Sequence, residues 1–497
     1  MKTQLKIWMS LFCALGLQSV MFAQEPPEVV DTPPPPPEEI VEEVQEPVEE
    51  VAGEVVEEAI EEEQVEEVIE EEPVDPELFI DPDSPYLYIH GADIHTVTNG
   101  VIQKGDILCK DGRVMKLGES LRKPHGARQI DASGMQIYPG LIAVESSGIV
   151  SGRGLSIRDS YDPYALNIDL GLSGGLTTVQ SGGAVAKLKH GTLEGILLSE
   201  TKWVNMNYST TSPSGRRKLR EDFSKVRDFL REEKRWVLDK ALGEDVSEEA
   251  PEPKDVNKEY LSLLKGEAVA RFSANSLKDL LATCDLLEEY PMQSVIMGGR
   301  EAWACAGRLG RVGAQLVITP RAKSWADDSL NRPSGWSIEN ARILWDHGVS
   351  FSILPAQRFI STGGIAGRDL LTLPMEAAFA IRGGLPQDVA LRSITLDAAK
   401  LLGVDHRLGS IEVGKDADFI LCDGDLFHYR TFVQWAVVDG AVSYDKMKAP
   451  YFAHIRPRAA KSLEEVIEEI QDAVVEPESI EEVVVGEAPS IDDPEEE

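Results

Sequence analysis

Histidine is scarce in this chain, and that scarcity excludes a chemistry. Only eight occur in 497 residues: His90, His95, His125, His190, His347, His406, His428 and His454. A histidine-built metal centre cannot be assembled from so scattered a set. Cysteine is thinner still. Besides Cys13 there are Cys109, Cys284, Cys305 and Cys422, far apart and with no CxxC pair, which argues against a zinc cluster or a dense disulfide framework and leaves room for one chance disulfide. No GxSxG nucleophile elbow occurs. The glycine turn Ser181-Gly-Gly183 lacks the strand-GxGxxG-helix setting of a nucleotide site. Beyond the N-terminus no stretch approaches the roughly 18 to 20 apolar residues that span a bilayer.

Positive charge is missing from whole regions. Residues 24–85 hold 25 Asp/Glu and no Lys or Arg, and residues 461–497 hold 15 acids and one Lys. The net charge of -37 therefore sits in the two ends, because residues 86–460 carry 46 acids and 46 bases. An acidity confined to terminal segments says nothing about the chemistry of the middle.

The N-terminus has the order of an export signal. Lys2 and Lys6 precede a mostly apolar run over residues 7–20, and Ala23 precedes a polar junction, so cleavage is expected after Ala23. The protein is thus expected in the periplasm or outside the cell, with no transmembrane segment after cleavage. Residues 24–84 alternate Glu, Val and Pro, including Thr32-Pro-Pro-Pro-Pro-Pro37, and read as a solvated, disordered linker. An acidic tail over 461–497 repeats the theme after a short amphipathic piece, Leu463 to Ile470.

The texture is globular from Tyr86 onward. Short strands separated by Asp-Gly and Ser-Gly turns over 85–140, matched by Ile411-Glu-Val-Gly, Ala417 to Cys422 and Phe432 to Gly440, predict a small antiparallel sheet drawn from 85–140 and 401–446. Between them, over 141–400, strand-like runs alternate with helical patterns at 215–241, 277–290, 338–347 and 373–382. That alternation predicts an α/β protein with parallel strands. The basic stretch Gly215-Arg-Arg-Lys-Leu-Arg220 opens a mixed-charge helix and reads as solvent-facing, so no nucleic-acid partner is expected.

Two segments carry a specific likeness. Ile130-Asp-Ala-Ser-Gly-Met-Gln-Ile-Tyr-Pro-Gly-Leu-Ile142 and Ala390-Leu-Arg-Ser-Ile-Thr-Leu-Asp-Ala-Ala-Lys-Leu-Leu-Gly-Val404, the latter followed by Gly409 to Ile420, resemble the entry and exit segments of the amidohydrolase superfamily, especially its imidazolonepropionase-like branch. Gly174 to Val179, Gly298 to Trp303 and Ala378 to Pro386 resemble family positions in the same order, so the resemblance covers roughly residues 86–446. It implies a (β/α) TIM-like barrel with a small composite β-sandwich formed by both ends of the folded region.

The resemblance also implies a divalent metal such as zinc, held by a His-x-His pair after the first barrel strand. Here Glu145 and Ser147 stand at those two positions, while the later histidines fall on Ser273 and Gly298 and the catalytic aspartate near Ala356. The chain therefore looks like a degenerate member without the metal-binding histidines, and no cofactor is expected. Gln180, Arg271, Asn275, Arg300 and Gln357 are expected to line a pocket with those five at the strand ends, with Glu145 paired to Arg271 or Arg300. Of the histidines only His190 falls near an expected barrel mouth.

Three readings stay open. The chain is an exported, inactive scaffold serving in binding of an unknown small molecule or protein, or in assembly. Alternatively it hydrolyses carbon-nitrogen bonds of the non-peptide, cyclic amide type with an altered or absent metal. In the third reading the acidic ends do the work and the barrel is a spacer.

Overall fold

The computed structural model describes residues 84–150, 157–243, 247, 249–362 and 367–455. The expected export signal, the linker up to residue 83, the amphipathic piece and the acidic tail lie outside the described residues.

The described chain begins with β1 (Tyr86–His95), β2 (Val101–Lys110), β3 (Arg113–Glu119), β4 (Arg128–Asp131) and β5 (Gln136–Pro139). Next come β6 (Leu141–Ala143), β7 (Leu176–Ser181), β8 (Ala184–Lys187) and β9 (Leu197–Glu200), which form one four-stranded sheet. A second sheet is wholly parallel and runs β10 (Trp203–Met206), β11 (Val269–Ala274), β12 (Ser294–Gly298), β13 (Gln315–Ile318) and β14 (Phe351–Ile353). Finally β15 (Phe419–Cys422), β16 (Val433–Val438) and β17 (Ala441–Asp445) return to the first strands.

That return builds one eight-stranded sheet in the order β17-β16-β15-β5-β1-β2-β3, with β4 beside β1. The sheet is mixed rather than antiparallel, because β1 pairs in parallel with both β4 and β5. Ile411 to Gly414 forms a turn instead of the expected strand. Its Ile411 and Gly414 amides bond single carbonyls of Thr96 and Val114, at 3.2 and 2.8 Å, with no ladder to extend.

The fold is mixed α/β, but among the described residues the central strands do not close into one hydrogen-bonded barrel. β9 runs on into β10 across two residues, joining the two sheets on one side. On the other side β6 and β14 are three residues each, and Pro355 after β14 offers no amide donor. Single bonds stand in for a ladder there: Ile142 donates to the Ile394 carbonyl at 3.0 Å, and Ser147 to that of Arg358 at 2.7 Å.

Helices cover the outer face because their periodicity supplies apolar stripes. In Pro213–Ala241 the buried residues are Leu219, Phe223, Val226 and Phe229, on one face of a helix whose other faces are charged. Phe223 stacks on Tyr260 at 4.8 Å and meets Tyr290 at 5.2 Å, which seats the helix on its neighbours. Helix Leu277–Glu289 starts at Ser276, whose hydroxyl accepts the Asp279 amide, and packs Leu280, Cys284 and Leu287 against β11 and its neighbours. All four cysteines of the described region are buried and free.

The lower ends of β6 to β8 meet the eight-stranded sheet through a buried charge cluster. Lys187, fully buried at the end of β8, donates to Asp416 at 2.8 Å and Asp418 at 2.9 Å and also contacts Asp439. Lys189 pairs with Asp439 at 2.5 Å, and Arg407 with Asp416 at 2.6 Å. Burial opposes the Lys187 charge, yet the aspartates outweigh it and raise its pKa. Burial pushes the Asp439 carboxyl up, but Lys187 and Lys189 outweigh that and hold it below the ordinary value. For Asp418 burial wins and lifts the carboxyl to about 6.

Two outcomes follow from this cluster. Lys187→Met should cost about 3 kcal/mol of folding stability in urea titrations, since it strands buried carboxylates without their cation. A carboxyl raised in the fold favours the folded state below its ordinary pKa and loses that contribution as pH rises through the raised one. Asp418 should therefore make stability fall between pH 3.8 and about 6, and Asp418→Asn should flatten that limb of a stability-versus-pH curve measured at fixed salt.

Candidate functional site

In a parallel α/β layout the loops after the strands converge at one end, and that end collects functional side chains. Here the convergence is electrostatic. Glu145 follows β6, Arg271 lies in β11 and Arg358 follows β14, so the three arrive from two sheets. Arg271 Nη2 donates to Glu145 Oε1 at 2.6 Å, and the Arg358 guanidinium pairs with Glu145 Oε2. One carboxylate is thus held between two guanidiniums.

Arg271 is positioned from several sides. Alternation along β11 puts Val269, Arg271 and Ser273 on the face away from the buried Ala270, Phe272 and Ala274. On that face Arg271 Nη1 donates to Asn205 Oδ1 at 2.9 Å, and the guanidinium lies 5.9 Å from the Trp203 ring centre. Burial pulls the pKa of both Arg271 and Arg358 below the ordinary guanidinium value, a sign of lost hydration, although both stay charged at neutral pH.

Beside this cluster lies a cavity of about 200 Å³ at the ends of β11 to β14, bounded by Asn275, Gly298, Arg300, Trp336, Ala356 and Arg358 among others. Gly298 sits at φ +113°, and a Cβ there would lie 2.5 Å from Asn275 Oδ1, so the close approach of β12 to that loop requires glycine. Trp336 is fixed by its indole N–H, which donates to the Pro320 carbonyl at 2.7 Å. Glu301 ties the surrounding loops together: it accepts the Leu277 amide at 2.6 Å, the Gly335 amide at 2.8 Å and Arg332 at 2.9 Å.

The structure therefore gathers Asn275, Gly298, Arg300 and Ala356 around one cavity, and it pairs Glu145 with Arg271 rather than Arg300. Ser147 and Gln180 serve the backbone nearby. The Ser147 amide bonds the Arg358 carbonyl at 2.7 Å, and the Gln180 carbonyl accepts from Ser146 N at 2.7 Å while its Nε2 reaches Thr201 at 3.2 Å. Ser273 lies exposed on the Arg271 face, and Gln357 contributes an amide bond to Arg368 at 3.0 Å without bounding the cavity. Arg358, Asn205 and Trp336 escape the sequence reading, Arg358 by a single residue because the expected lining ends at Gln357. The signal for Arg358 was its position two residues past Ala356, in the loop that follows β14.

His190 is a correction. It does not sit at the mouth but at the opposite end, because β8 runs antiparallel to β7 and carries the chain back down: the Leu188 amide bonds the carbonyl of Thr177, near the start of β7, at 2.8 Å. There His190 pairs with Asp169 at 2.7 Å. Among the described residues no three His, Cys, Asp or Glu side chains converge as a metal cage.

Comparison with known proteins agrees with this architecture. Residues 328–451 match the amidohydrolase family, a stretch that includes Ala356 and Arg358 but not Glu145, Arg271 or Arg300. An imidazolonepropionase from Shewanella frigidimarina is 54% identical over 39 residues, 8% of this chain and 10% of that protein. An N-acetylglucosamine-6-phosphate deacetylase from Danio rerio is 36% identical over 72 residues, 14% of this chain and 17% of that protein. The matches thus span less than a fifth of these curated relatives. Among solved structures, an amidohydrolase from Thermotoga maritima shares the fold at 23% identity and a TM-score of 0.55, covering 72% of this chain and 100% of that one. The matched segment and the short runs of identity are similar to the amidohydrolase family, and the fold is shared with the Thermotoga maritima amidohydrolase.

Proposed function

We propose that the protein is an exported amidohydrolase-fold protein that binds a ligand, or assembles with a partner, at this mouth without hydrolysing it. One observation carries the reading: Glu145, at the position where the family resemblance implies a histidine ligand, is held by Arg271 and Arg358. Two fixed cations beside that carboxylate oppose a divalent ion. The remaining donors nearby are the hydroxyls of Ser147 and Ser273 and the amides of Asn205 and Asn275, which lack the imidazole and carboxylate character such an ion selects. The residues present do not fit the family metal, and no hydrolytic step is derived through one.

The relatives favour a second reading. The names imidazolonepropionase and N-acetylglucosamine-6-phosphate deacetylase belong to proteins that act on carbon-nitrogen bonds, and by extension this chain would hydrolyse such a bond in a cyclic amide. The two readings part on metal content and turnover. Protein purified without chelators should hold zinc, manganese and iron only in trace amounts and should leave a cyclic imide such as hydantoin intact. Stoichiometric metal together with turnover that chelation abolishes would sink the binding reading.

Export rests on the order of Lys2, Lys6, the apolar run and Ala23. Intact-mass analysis of the protein from envelope and medium fractions should find a chain that starts at Gln24. A cytoplasmic chain that retains residues 1–23 would reject export. Deleting residues 24–84 should leave ligand binding unchanged, whereas loss of partner capture would favour the acidic ends as the working parts.

A further inference from the structure

The cavity beside the Glu145 cluster has an unusual charge content. Its boundary holds two arginines, Arg300 and Arg358, and no Asp or Glu. Arg358 has Glu145 as partner on one side. Arg300 has no acceptor among the described residues: it enters no ion pair, and its Nε is buried without a hydrogen bond. A half-buried guanidinium stripped of water and given no counter-charge is costly, and folds rarely keep one where nothing binds it. Its fork of donors matches the two oxygens of a carboxylate.

The rest of the wall narrows the ligand. Ile318, Ile338 and the Trp336 indole offer apolar surface, and Asn340 spends one of its two Nδ2 hydrogens on the Gly299 carbonyl at 3.0 Å. A phosphate carries more negative charge than the one unpaired guanidinium offsets, since Arg358 already faces Glu145. The cavity, about 200 Å³, is the volume of about six or seven waters at ~30 Å³ each, which suits a compact molecule. We propose that this cavity binds a small carboxylate with a flat apolar body, its carboxylate on Arg300 and its body against Trp336. The proposal rests on the binding reading above and deepens it by naming the ligand class.

The test is calorimetric titration of the full mature chain at low salt with three probes: benzoate, its uncharged counterpart benzamide, and inorganic phosphate. Benzoate should bind one per chain, with benzamide at least about tenfold weaker, the loss that goes with a charged hydrogen bond. Arg300→Met should weaken benzoate by a similar factor while the melting temperature holds or rises, because an uncompensated charge has been removed. Ala356→Phe fills the cavity from an exposed position without altering any charge, and it should abolish binding too. Benzoate that fails to saturate, binds no better than benzamide, or ignores both substitutions overturns the proposal. So does phosphate binding more tightly than benzoate. Stoichiometric metal with hydrolysis would sink the binding reading and leave benzoate affinity standing. Absent benzoate affinity in a metal-free, inactive protein would sink this inference alone.

Discussion

A lysine ammonium with no access to water survives in a fold only if anions surround it, and the assembly of this protein turns on one such group. Lys187 closes the β7-β8 hairpin, while Asp416, Asp418 and Asp439 come from the chain's return to the eight-stranded sheet. Removing either side leaves buried charge without a partner, so the cluster couples the stability of the sheet to that of the central strands. Lys189 and Arg407 complete the neutralisation with Asp439 and Asp416. The start of β6 is anchored at the same end, since the Gly140 amide bonds the Asp418 carbonyl at 3.0 Å.

The upper end follows the opposite electrostatic rule. At the lower end three aspartates balance three cations. At the upper end a single carboxylate, Glu145, faces Arg271 and Arg358, and Arg300 stands close by with no acid at the cavity wall. One end is closed and neutral, and the other keeps a surplus of guanidinium. Glu145 also does mechanical work: it links β6 to β11 and β14 where no ladder joins the two sheets. Replacing it would disturb both the electrostatics of the cavity and the geometry of its rim.

Much of this was legible in advance because strand and helix periodicity leave strong marks. The apolar strand-like runs at 141–144, 177–180, 294–297, 315–318 and 350–354 lie within a residue of β6, β7, β12, β13 and β14. β8 and β10 escaped because each is only four residues long: β8 is buried throughout, and β10 follows β9 after two residues, so neither shows a pattern of its own. The antiparallel turn into β8 then misplaced His190, which the sequence sets just after a barrel strand and the hairpin carries to the far end. The expectation of an antiparallel small sheet failed for a similar reason. The chain after β3 crosses over and lays β4 and β5 parallel to β1, and no residue pattern distinguishes the two pairings.

The sequence by itself determined the α/β class, the likeness to the amidohydrolase superfamily and the absence of histidine at residues 145, 147, 273 and 298, because these are matters of residue type and order. It put Glu145 at a strand end facing two candidate partners, Arg271 and Arg300, and left the choice between them open. Only the tertiary structure decided which arginine was left over. Arg300 and Arg358 are both cations near strand ends, and order along the chain cannot say which one meets a carboxylate. That depends on the direction in which each loop leaves its strand. Gly298 at φ +113° turns the chain before Arg300 toward the cavity, whereas Arg358 follows β14 toward Glu145.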